Sequence, residues 1–347
     1  MKAYYKKYTL LFHKPGGTSR GVLWQKPTYF IFLADGSKTA VGECNRFLKL
    51  SYDDREGYEE KLEEVCNLLP TEMSGVLDSL KEWPSVYFGV EMLLKDWQHG
   101  CQRILFPEVI KENGFSIPVN GLIWMGAKSE MKKQVEEKLK QGYTSLKLKI
   151  GAIDFDAELE LMAYIRKQFN AAEVEIRVDA NGAFGFEEAK VKLQQLAQYE
   201  VSYIEQPIPP GQWQEMAALA ESSPVKIALD EELIGIINEI EQEKLITTIA
   251  PQLLILKPAL TGGFDGASRW KQLIEATGGR WIITSALESN IGLNAIAQYA
   301  ATGHSHYAQG LGTGQLYTNN FESPYTADAK GLHYNISKSW DLSSLFN

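Results

Sequence analysis

From Pro118 onward, short runs of apolar residues alternate with longer segments of helical periodicity. In residues 129–142, Met131, Val135 and Leu139 recur four positions apart, and Gly142 stands where a helix C-terminal cap belongs. A second helix is predicted over 186–199. Eight strands with single helices between them favour an α/β protein built as a (β/α)-barrel over an open doubly wound sheet. The predicted strands are 119–123, 145–150, 175–179, 202–205, 226–230, 253–257, 281–285 and a short one near 308–311.

The first hundred or so residues follow a different pattern. Two apolar runs, Tyr29–Ala34 and Lys38–Gly42, flank Asp35-Gly36 and predict a β-hairpin, and helices are predicted over 54–69 and 85–99. The segment from about Leu316 shows no further strand–helix unit and is expected to fold back on the N-terminal part. We therefore predict an α+β domain of residues 1–117, completed by 316–347, and a barrel of residues 118–315.

The amino-acid composition argues against some classes of binding partner. The chain has 347 residues, 44% of them hydrophobic and 23% charged, as in an ordinary globular protein. Its net charge of −9 provides no basic excess for nucleic acid or an anionic membrane surface. No apolar run approaches the ~20 residues that span a bilayer, and the N-terminus does not resemble a signal peptide. We expect a cytoplasmic protein whose three scattered cysteines, Cys44, Cys66 and Cys101, are reduced thiols rather than disulfides or zinc ligands.

Lys147 and Lys149 lie on one face of the strand-like run SLKLKIG, and aliphatic residues lie on the other. Two lysines at alternate positions usually lie on the solvent-exposed face of a half-buried strand. In a barrel, however, helices cover the outside of each strand, so the aliphatic residues face the helices and both lysines point inward. Because buried lysines are costly unless they are paired, this placement indicates a function.

Similar charges end four later strands: Asp179, Glu205, Asp230 and Lys257. The separations, starting from Lys149, are 30, 26, 25 and 27 residues. One strand–helix unit of a barrel is roughly 30 residues long, so the five residues occupy equivalent places on successive strands. We expect them to converge at the C-terminal mouth, where barrel enzymes keep their active sites.

Three carboxylates in a small space repel one another unless a cation holds them. Three oxygen ligands with open positions suit Mg²⁺ or Mn²⁺, whereas zinc favours histidine or cysteine. Beside such an ion the lysine pKa values should fall, which lets one lysine act as a base and the metal stabilise the resulting oxyanion. The alternative is that the five charges form salt bridges that only brace the barrel, but bracing would not require all of them at strand ends.

Five short motifs together resemble the muconate-lactonizing subgroup of the enolase superfamily: Lys147-Leu148-Lys149, DANG at 179–182, IEQP at 204–207, Asp230-Glu231 and Lys257-Pro258. The resemblance implies an N-terminal α+β capping domain whose loops, 16–20 and 45–52, close over the barrel mouth. It also implies that Asp179, Glu205 and Asp230 bind Mg²⁺, that Lys149 is the acid/base and Lys257 lies opposite, and that Lys147 assists electrostatically. Asn181 is expected just behind the ligands and is a candidate substrate contact. Strand alternation places Glu232, rather than Glu231, on the face of Asp230.

Within this subgroup, residues 284–301 and Ala308-Gln309-Gly310-Leu311 are similar to the o-succinylbenzoate synthases of menaquinone biosynthesis. That similarity implies a small carboxylate substrate, 2-succinyl-6-hydroxy-2,4-cyclohexadiene-1-carboxylate. Lys149 would remove the proton next to the carboxylate, Mg²⁺ would hold the enediolate, and water would leave by syn elimination. Thr284, Ser285 and Gly310 at strand ends, with Arg20 in a glycine-rich loop, are candidates for binding the substrate.

Other activities of the subgroup stay open. Dipeptide epimerases carry an acidic D-x-D pair at the eighth strand, and the run QGLGTG at 309–314 has no acid, which counts against them. N-succinylamino-acid racemases and muconate cycloisomerases would use the same five residues. A metal-binding barrel without turnover is a more remote alternative. The sequence fixes neither the oligomeric state nor the choice between Mg²⁺ and Mn²⁺.

Overall fold

The computed structural model describes residues 1–18, 21–73 and 75–346. Its N-terminal part is an antiparallel sheet of β1 (Lys2–Thr18), β2 (Gly21–Asp35) and β3 (Lys38–Cys44), in that order. The predicted hairpin is confirmed, because β2 and β3 pair from Tyr29 with Cys44 to Asp35 with Lys38. The sequence did not predict β1, whose lysines and tyrosines weaken the alternation, nor the full length of β2.

Two helices, α1 (Tyr58–Leu68) and α2 (Pro84–Gln98), cover this sheet. The backbone of α2 lies close to β3, since a Cβ on Gly42 would lie only 1.8 Å from the carbonyl oxygen of Gly89. Only glycine permits that approach. Helix α1 begins four residues later than predicted, because the chain first turns at Gly57 with φ of 83°.

The remaining chain forms a parallel sheet of seven strands that curls into a barrel. Sheet order follows chain order, as expected for successive strand–helix units. The strands are β5 (Gly121–Ile123), β6 (Ser145–Lys149), β7 (Glu175–Asp179), β8 (Val201–Glu205), β9 (Lys226–Leu229), β10 (Leu253–Leu256) and β11 (Arg280–Ile283). The helices are α3 (Lys128–Gln141), α4 (Phe155–Arg166), α5 (Phe186–Ala197), α6 (Trp213–Ser222), α7 (Glu239–Ile249), α8 (Pro258–Thr261), α9 (Gly263–Ala276) and α10 (Asn290–Thr302). Gly142 caps α3 in the left-handed conformation, as predicted.

The prediction of an eighth strand near 308–311 is wrong. Only two residues pair there: Gln309 bridges Val119 beside β5, and Gly310 bridges Thr284 beside β11. Backbone hydrogen bonds from this segment reach both edges of the sheet, with Gln309 N donating to Pro118 O and Gly310 N to Ile283 O. The segment therefore closes the barrel, but each edge receives a single bridge, which is too short for a ladder.

The C-terminal segment returns to the N-terminal part of the chain. His13 N donates to Leu316 O, and Tyr317 bridges Phe12 on β1. Strand β12 (Tyr325–Asp328) pairs with β13 (Gly331–Tyr334), which in turn pairs with β4 (Phe115–Ile117). A short helix, α11 (Ser343–Phe346), ends the described chain. The predicted domain limits at 117/118 and 315/316 stay predictions. Among the described helices, none combines the length and apolar character that crossing a membrane requires.

Candidate metal centre and active site

The five predicted charged residues meet at the C-terminal mouth of the barrel. Lys149, Asp179 and Glu205 are the last residues of β6, β7 and β8, and they pair directly across the ladder. Asp230 and Lys257 come immediately after β9 and β10. Since the strands run parallel and in register, their equal spacing in sequence becomes proximity in space.

Asp179, Glu205 and Asp230 form a buried acidic triad in which each residue offers one carboxylate oxygen within 4.8 Å of the others. Their exposed fractions are 0%, 0% and 2%. Within the described part of the chain, Glu205 Oε1 has no hydrogen-bond partner although it is buried. Buried carboxylates without enough donors are costly, and three oxygen ligands match the preference of divalent cations such as Mg²⁺. The triad therefore fits a divalent metal ion.

Three lysines contact the triad from two sides. Lys147 Nζ lies 3.0 Å from Asp179 Oδ2 and 2.5 Å from Glu205 Oε2. Lys149 Nζ lies 2.5 Å from Asp179 Oδ2, and Lys257 pairs with Asp230. Between β6 and β10 the sheet contains β7, β8 and β9, so Lys149 and Lys257 approach the triad from opposite walls of the mouth.

Burial lowers the pKa of Lys147, but the carboxylates of Asp179 and Glu205 outweigh it and hold the pKa well above its usual value. The pKa of Lys257 is raised in the same way, against its burial, by Asp230 and Glu231. Burial, followed by the charge of Asp179, raises the pKa of Glu205 well above its ordinary range. The carboxylates alone thus act against the predicted fall in lysine pKa, and that fall requires a cation that neutralises them.

Asn181 and Glu231 extend the site. Asn181 Oδ1 accepts a hydrogen bond from Lys149 Nζ at 2.9 Å, and Asn181 Nδ2 donates to Glu231 Oε1 at 2.9 Å. The prediction that alternation turns Glu231 away from the site is wrong, because β9 ends at Leu229 and residues 231–233 form a 3₁₀ turn. The sequence signal for Glu231 was its place in the Asp230-Glu231 motif. Glu232 instead accepts from Gln206 Nε2 and from the backbone of Gly211, outside the triad.

Thr284, Ser285 and Gly310 lie together at the end of β11. Thr284 Oγ1 donates to Gly310 O at 3.0 Å, and Ser285 Oγ donates to Glu288 Oε2 at 2.5 Å. A Cβ on Gly310 would lie 2.3 Å from Thr284 Oγ1, so this position requires glycine. Both hydroxyls therefore have partners within the protein. Arg20 lies outside the described residues.

Described residues of both segments predicted as lids, 16–20 and 45–52, lie against loops at the barrel mouth, whereas residues 19 and 20 lie outside the described part of the chain. Gly17, near the end of β1, lies against the loop after β5, since a Cβ on it would lie 2.5 Å from Met125 O. The loop after β3 meets the loop after β11, where Asn45 Nδ2 donates to Ala286 O at 3.1 Å. Gly17 near the end of β1 and Asn45 after β3 thus border the mouth from two sides.

Comparison with known proteins agrees with this geometry. Residues 130–333 match a family model described as enolase C-terminal domain-like. The o-succinylbenzoate synthase of Desulfotalea psychrophila is 43% identical over 94% of this chain and 97% of that protein. The crystal structure of MenC from Desulfotalea psychrophila LSv54 superposes with a TM-score of 0.86 at 39% identity, covering 96% of this chain and 99% of that one. The L-Ala-D/L-Glu epimerase of Bacillus subtilis is 26% identical over 71% of this chain and 64% of that protein.

Proposed function

The chain belongs to the o-succinylbenzoate synthases of the enolase superfamily, and from this premise we propose that it is a Mg²⁺-dependent hydro-lyase. Its substrate is 2-succinyl-6-hydroxy-2,4-cyclohexadiene-1-carboxylate and its product is o-succinylbenzoate. The observation that carries the proposal is the placement of Lys149 and Lys257 on opposite walls of the mouth, each in contact with the acidic triad. A substrate carboxylate held at the triad would lie between two lysine side chains.

Asp179, Glu205 and Asp230 would hold the metal ion, because their oxygens converge and Glu205 Oε1 has no other partner among the described residues. When bound, Mg²⁺ supplies positive charge that stabilises the negative charge developing on the substrate carboxylate. Lys147, in contact with both Asp179 and Glu205, adds a fixed positive charge behind the ligands. Mn²⁺ suits the same oxygen ligands.

Lys149 removes the proton from the ring carbon that carries the carboxylate. Its Nζ has two protein acceptors, Asp179 and Asn181, which orient the amine toward the mouth. The electron pair of the broken C–H bond is first delocalised onto the substrate carboxylate, and it then forms the new ring double bond as the C–O bond to the hydroxyl breaks. Lys149 returns its proton to the departing hydroxide, so water leaves from the face on which the proton was taken, and the ring becomes aromatic.

Lys257 stays protonated on the opposite side of the ring. Its direct contact with the Asp230 carboxylate favours the ammonium form. A cation close to a ring that gains negative charge stabilises it through direct charge and cation–π attraction. Lys257 therefore assists without taking the proton in the dehydration.

Thr284, Ser285 and Gly310 form a wall at the end of β11 and would contact the succinyl group there. The Thr284 and Ser285 hydroxyl hydrogens are directed to Gly310 O and Glu288, so these oxygens serve a ligand best as acceptors or packing surface. Arg20 stays a candidate partner for the succinyl carboxylate.

A spectrophotometric dehydration assay tests the function. Metal-free protein is mixed with the cyclohexadiene carboxylate alone, with Mg²⁺ and with Mn²⁺, and aromatisation is followed. Rapid product formation only with a divalent ion supports the proposal. No aromatisation under any of these conditions, from protein that binds Mg²⁺, contradicts it.

A second activity, racemisation of N-succinylamino acids, is favoured by the same pair of opposed lysines, since 1,1-proton transfer needs a base on each side of the carbon. Incubation of an N-succinylamino acid in D₂O tests it by exchange of the α-proton and loss of optical activity. Exchange without dehydration would assign the chain to racemisation. If the cyclohexadiene carboxylate is not dehydrated and the N-succinylamino acid does not exchange its α-proton, a metal-binding barrel without turnover is favoured.

A further inference from the structure

A buried polar network joins the N-terminal sheet to the loop that follows β11. Its members from the sheet are Lys26 on β2, Glu43 on β3 and Asn45 just after β3, and those from the barrel are Glu288 and Ser289. Lys26 is 4% exposed and the other four are fully buried. None of these residues belongs to the acidic triad or to the lysines around it.

Asn45 is the centre of the network. Its Nδ2 donates to Glu288 Oε1 at 2.7 Å and to the backbone oxygen of Ala286 at 3.1 Å. Its Oδ1 accepts from Lys26 Nζ. On the far side of Glu288, Oε2 accepts from Ser285 Oγ at 2.5 Å. A continuous chain of side-chain hydrogen bonds thus runs from Lys26 through Asn45 and Glu288 to Ser285, at the mouth of the barrel.

Glu43 holds the start of α10 from the other domain. Its carboxylate accepts from Ser289 Oγ at 2.6 Å and from the backbone of Gly292 at 2.9 Å. A carboxylate at a helix N-terminus satisfies free N–H groups and interacts favourably with the helix dipole. The loop between β11 and α10 is therefore held by Asn45 in its middle and by Glu43 at its end.

Apolar packing alone would attach the two domains at lower cost than buried charges. Phe47, Leu260 and Ala286 already form such a contact beside the network. Burial lowers the pKa of Lys26 and raises that of Glu288, which shows the cost of keeping these groups away from water. Hydrogen bonds of defined direction do what apolar contacts cannot, because they fix the position of individual atoms.

We propose that Asn45 is a positioning residue for the substrate: held by Lys26, it places Glu288 and thereby Ser285 at the wall of the binding site, and it holds the adjoining backbone directly at Ala286. The proposal rests on the proposed function, since Ser285 is assigned there, with Thr284 and Gly310, to the wall that contacts the succinyl group. Asn45 touches neither the triad nor the catalytic lysines, so it acts on substrate binding and not on the metal or the proton. Because Asn45 belongs to the N-terminal part of the chain, this wall of the binding site is held in place only when that part is docked on the barrel.

The test compares Asn45→Ala, Glu288→Ala and Glu288→Gln in the full chain with Mg²⁺. We expect Asn45→Ala to lower kcat/KM about 10- to 100-fold, the size of effect that a small misplacement of substrate produces. The loss should lie mainly in KM, with the Mg²⁺ dissociation constant within about twofold of wild type. Glu288→Ala should behave alike, and the double variant should lose little more than either single variant, as expected for residues of one network. Glu288→Gln keeps an acceptor for Asn45 Nδ2. It turns an NH₂ donor toward Ser285 Oγ, whose hydroxyl must then accept instead of donate. This variant should therefore recover part of the activity that Glu288→Ala loses.

Gln298→Ala is the matched control. Gln298 is a fully buried amide on α10 that also bridges the two parts of the chain, donating to Arg103 O and accepting from Leu105 N. It has no link to Ser285, so this variant should lower the melting temperature without raising KM. Asn45→Ala takes away the acceptor of Lys26. If the single variant folds poorly for that reason alone, the double variant Lys26→Met/Asn45→Ala, which also removes the lysine, is measured instead.

Hydrogen exchange of amides 284–292 separates failure of this inference from failure of the proposed function. Faster exchange there in Asn45→Ala supports positioning of the loop whatever the substrate, and an inactive wild type would then overturn only the assigned substrate. An Asn45→Ala protein with unchanged KM and unchanged exchange overturns the inference. So does a rise in KM that Gln298→Ala reproduces at equal loss of stability.

Discussion

Lys149 Nζ lies 2.5 Å from Asp179 Oδ2, so the proposed base is in direct contact with a proposed metal ligand. The same carboxylate oxygen has a second cationic partner, Lys147 Nζ, at 3.0 Å. Removal of Lys149 therefore leaves Asp179 paired and ionised. Base function and metal binding should be separable by mutation.

Lys149→Met should lose dehydration activity by about 10²–10⁴-fold, the usual contribution of a general acid–base group. Its affinity for Mg²⁺, measured by calorimetry, should stay within a few-fold of wild type because Lys147 still balances Asp179. Lys140→Met, on the exposed side of α3, is the control and should leave both properties unchanged. A Lys149→Met protein that retains wild-type turnover would remove Lys149 from its role.

Glu205→Gln should abolish stabilisation by Mg²⁺. An ion that binds only the native state at 100 times its dissociation constant adds about 2.7 kcal/mol, which is visible as a rise in melting temperature. Without metal, we expect the variant to be at least as stable as wild type, because burial and Asp179 disfavour the Glu205 carboxylate.

Glu175→Gln is the control for Glu205→Gln, and we expect the opposite effects on stability and on the response to Mg²⁺. Glu175 is at the other end of the barrel, where its carboxylate accepts from Arg177 and Ser202. This variant should be less stable than wild type yet keep the full response to Mg²⁺. If Glu205→Gln kept that response as well, Glu205 would not be a ligand.

The cluster of charged residues at the barrel mouth was predictable because it depends on local sequence and regular spacing. Strands of a parallel barrel stand in register, so a charge at the end of each strand meets its neighbours whatever the helices between them contain. Lys149, Asp179 and Glu205 pair across the ladder for this reason. Predictions failed where a strand ended early, as at Glu231, or where a segment paired through single bridges, as at Gln309.

Contacts between the two domains were not predictable in the same way. Asn45 and Glu288 are separated by 243 residues, and nothing in the periodicity of either segment specifies their meeting. Such pairs follow from how the N-terminal sheet docks on the barrel. The local sequence around Lys26 and Glu43 predicts ordinary polar residues of a hairpin, although the fold buries both.

Gly292→Ala tests that docking through stability. In an ordinary helix the change from glycine to alanine stabilises by roughly 0.5–1 kcal/mol. Here a new Cβ would lie 2.8 Å from Glu43 Oε2 and 2.7 Å from Glu288 Cβ, so the network must shift and we expect a lower melting temperature. Gly312→Ala, whose Cβ would have its nearest neighbour at 3.7 Å, should be tolerated. A stabilised Gly292→Ala protein would show that Glu43 does not need its close approach to α10.

Glu91 should give the protein a pH-dependent stability that is independent of the acidic triad. It is buried on α2, and its carboxylate accepts from Phe264 N at 2.5 Å on α9. Burial and, next, the charge of Asp265 raise its pKa to about 8. A carboxyl group whose pKa is higher in the folded than in the unfolded state stabilises the fold at low pH, and this contribution is lost as pH rises from about 4.5 through about 8.

The wild-type protein should therefore lose stability between pH 5 and pH 9 relative to Glu91→Gln, by at most about 5 kcal/mol. Urea unfolding of the two proteins at pH 5, 7 and 9 measures this difference directly, because other titrating groups are common to both. Glu63→Gln, at an exposed position on α1, is the matched control and should follow wild type at every pH. Parallel stability curves for wild type and Glu91→Gln would mean that the Glu91 carboxyl titrates alike in the folded and unfolded chain, and that its contact with Phe264 N compensates fully for burial.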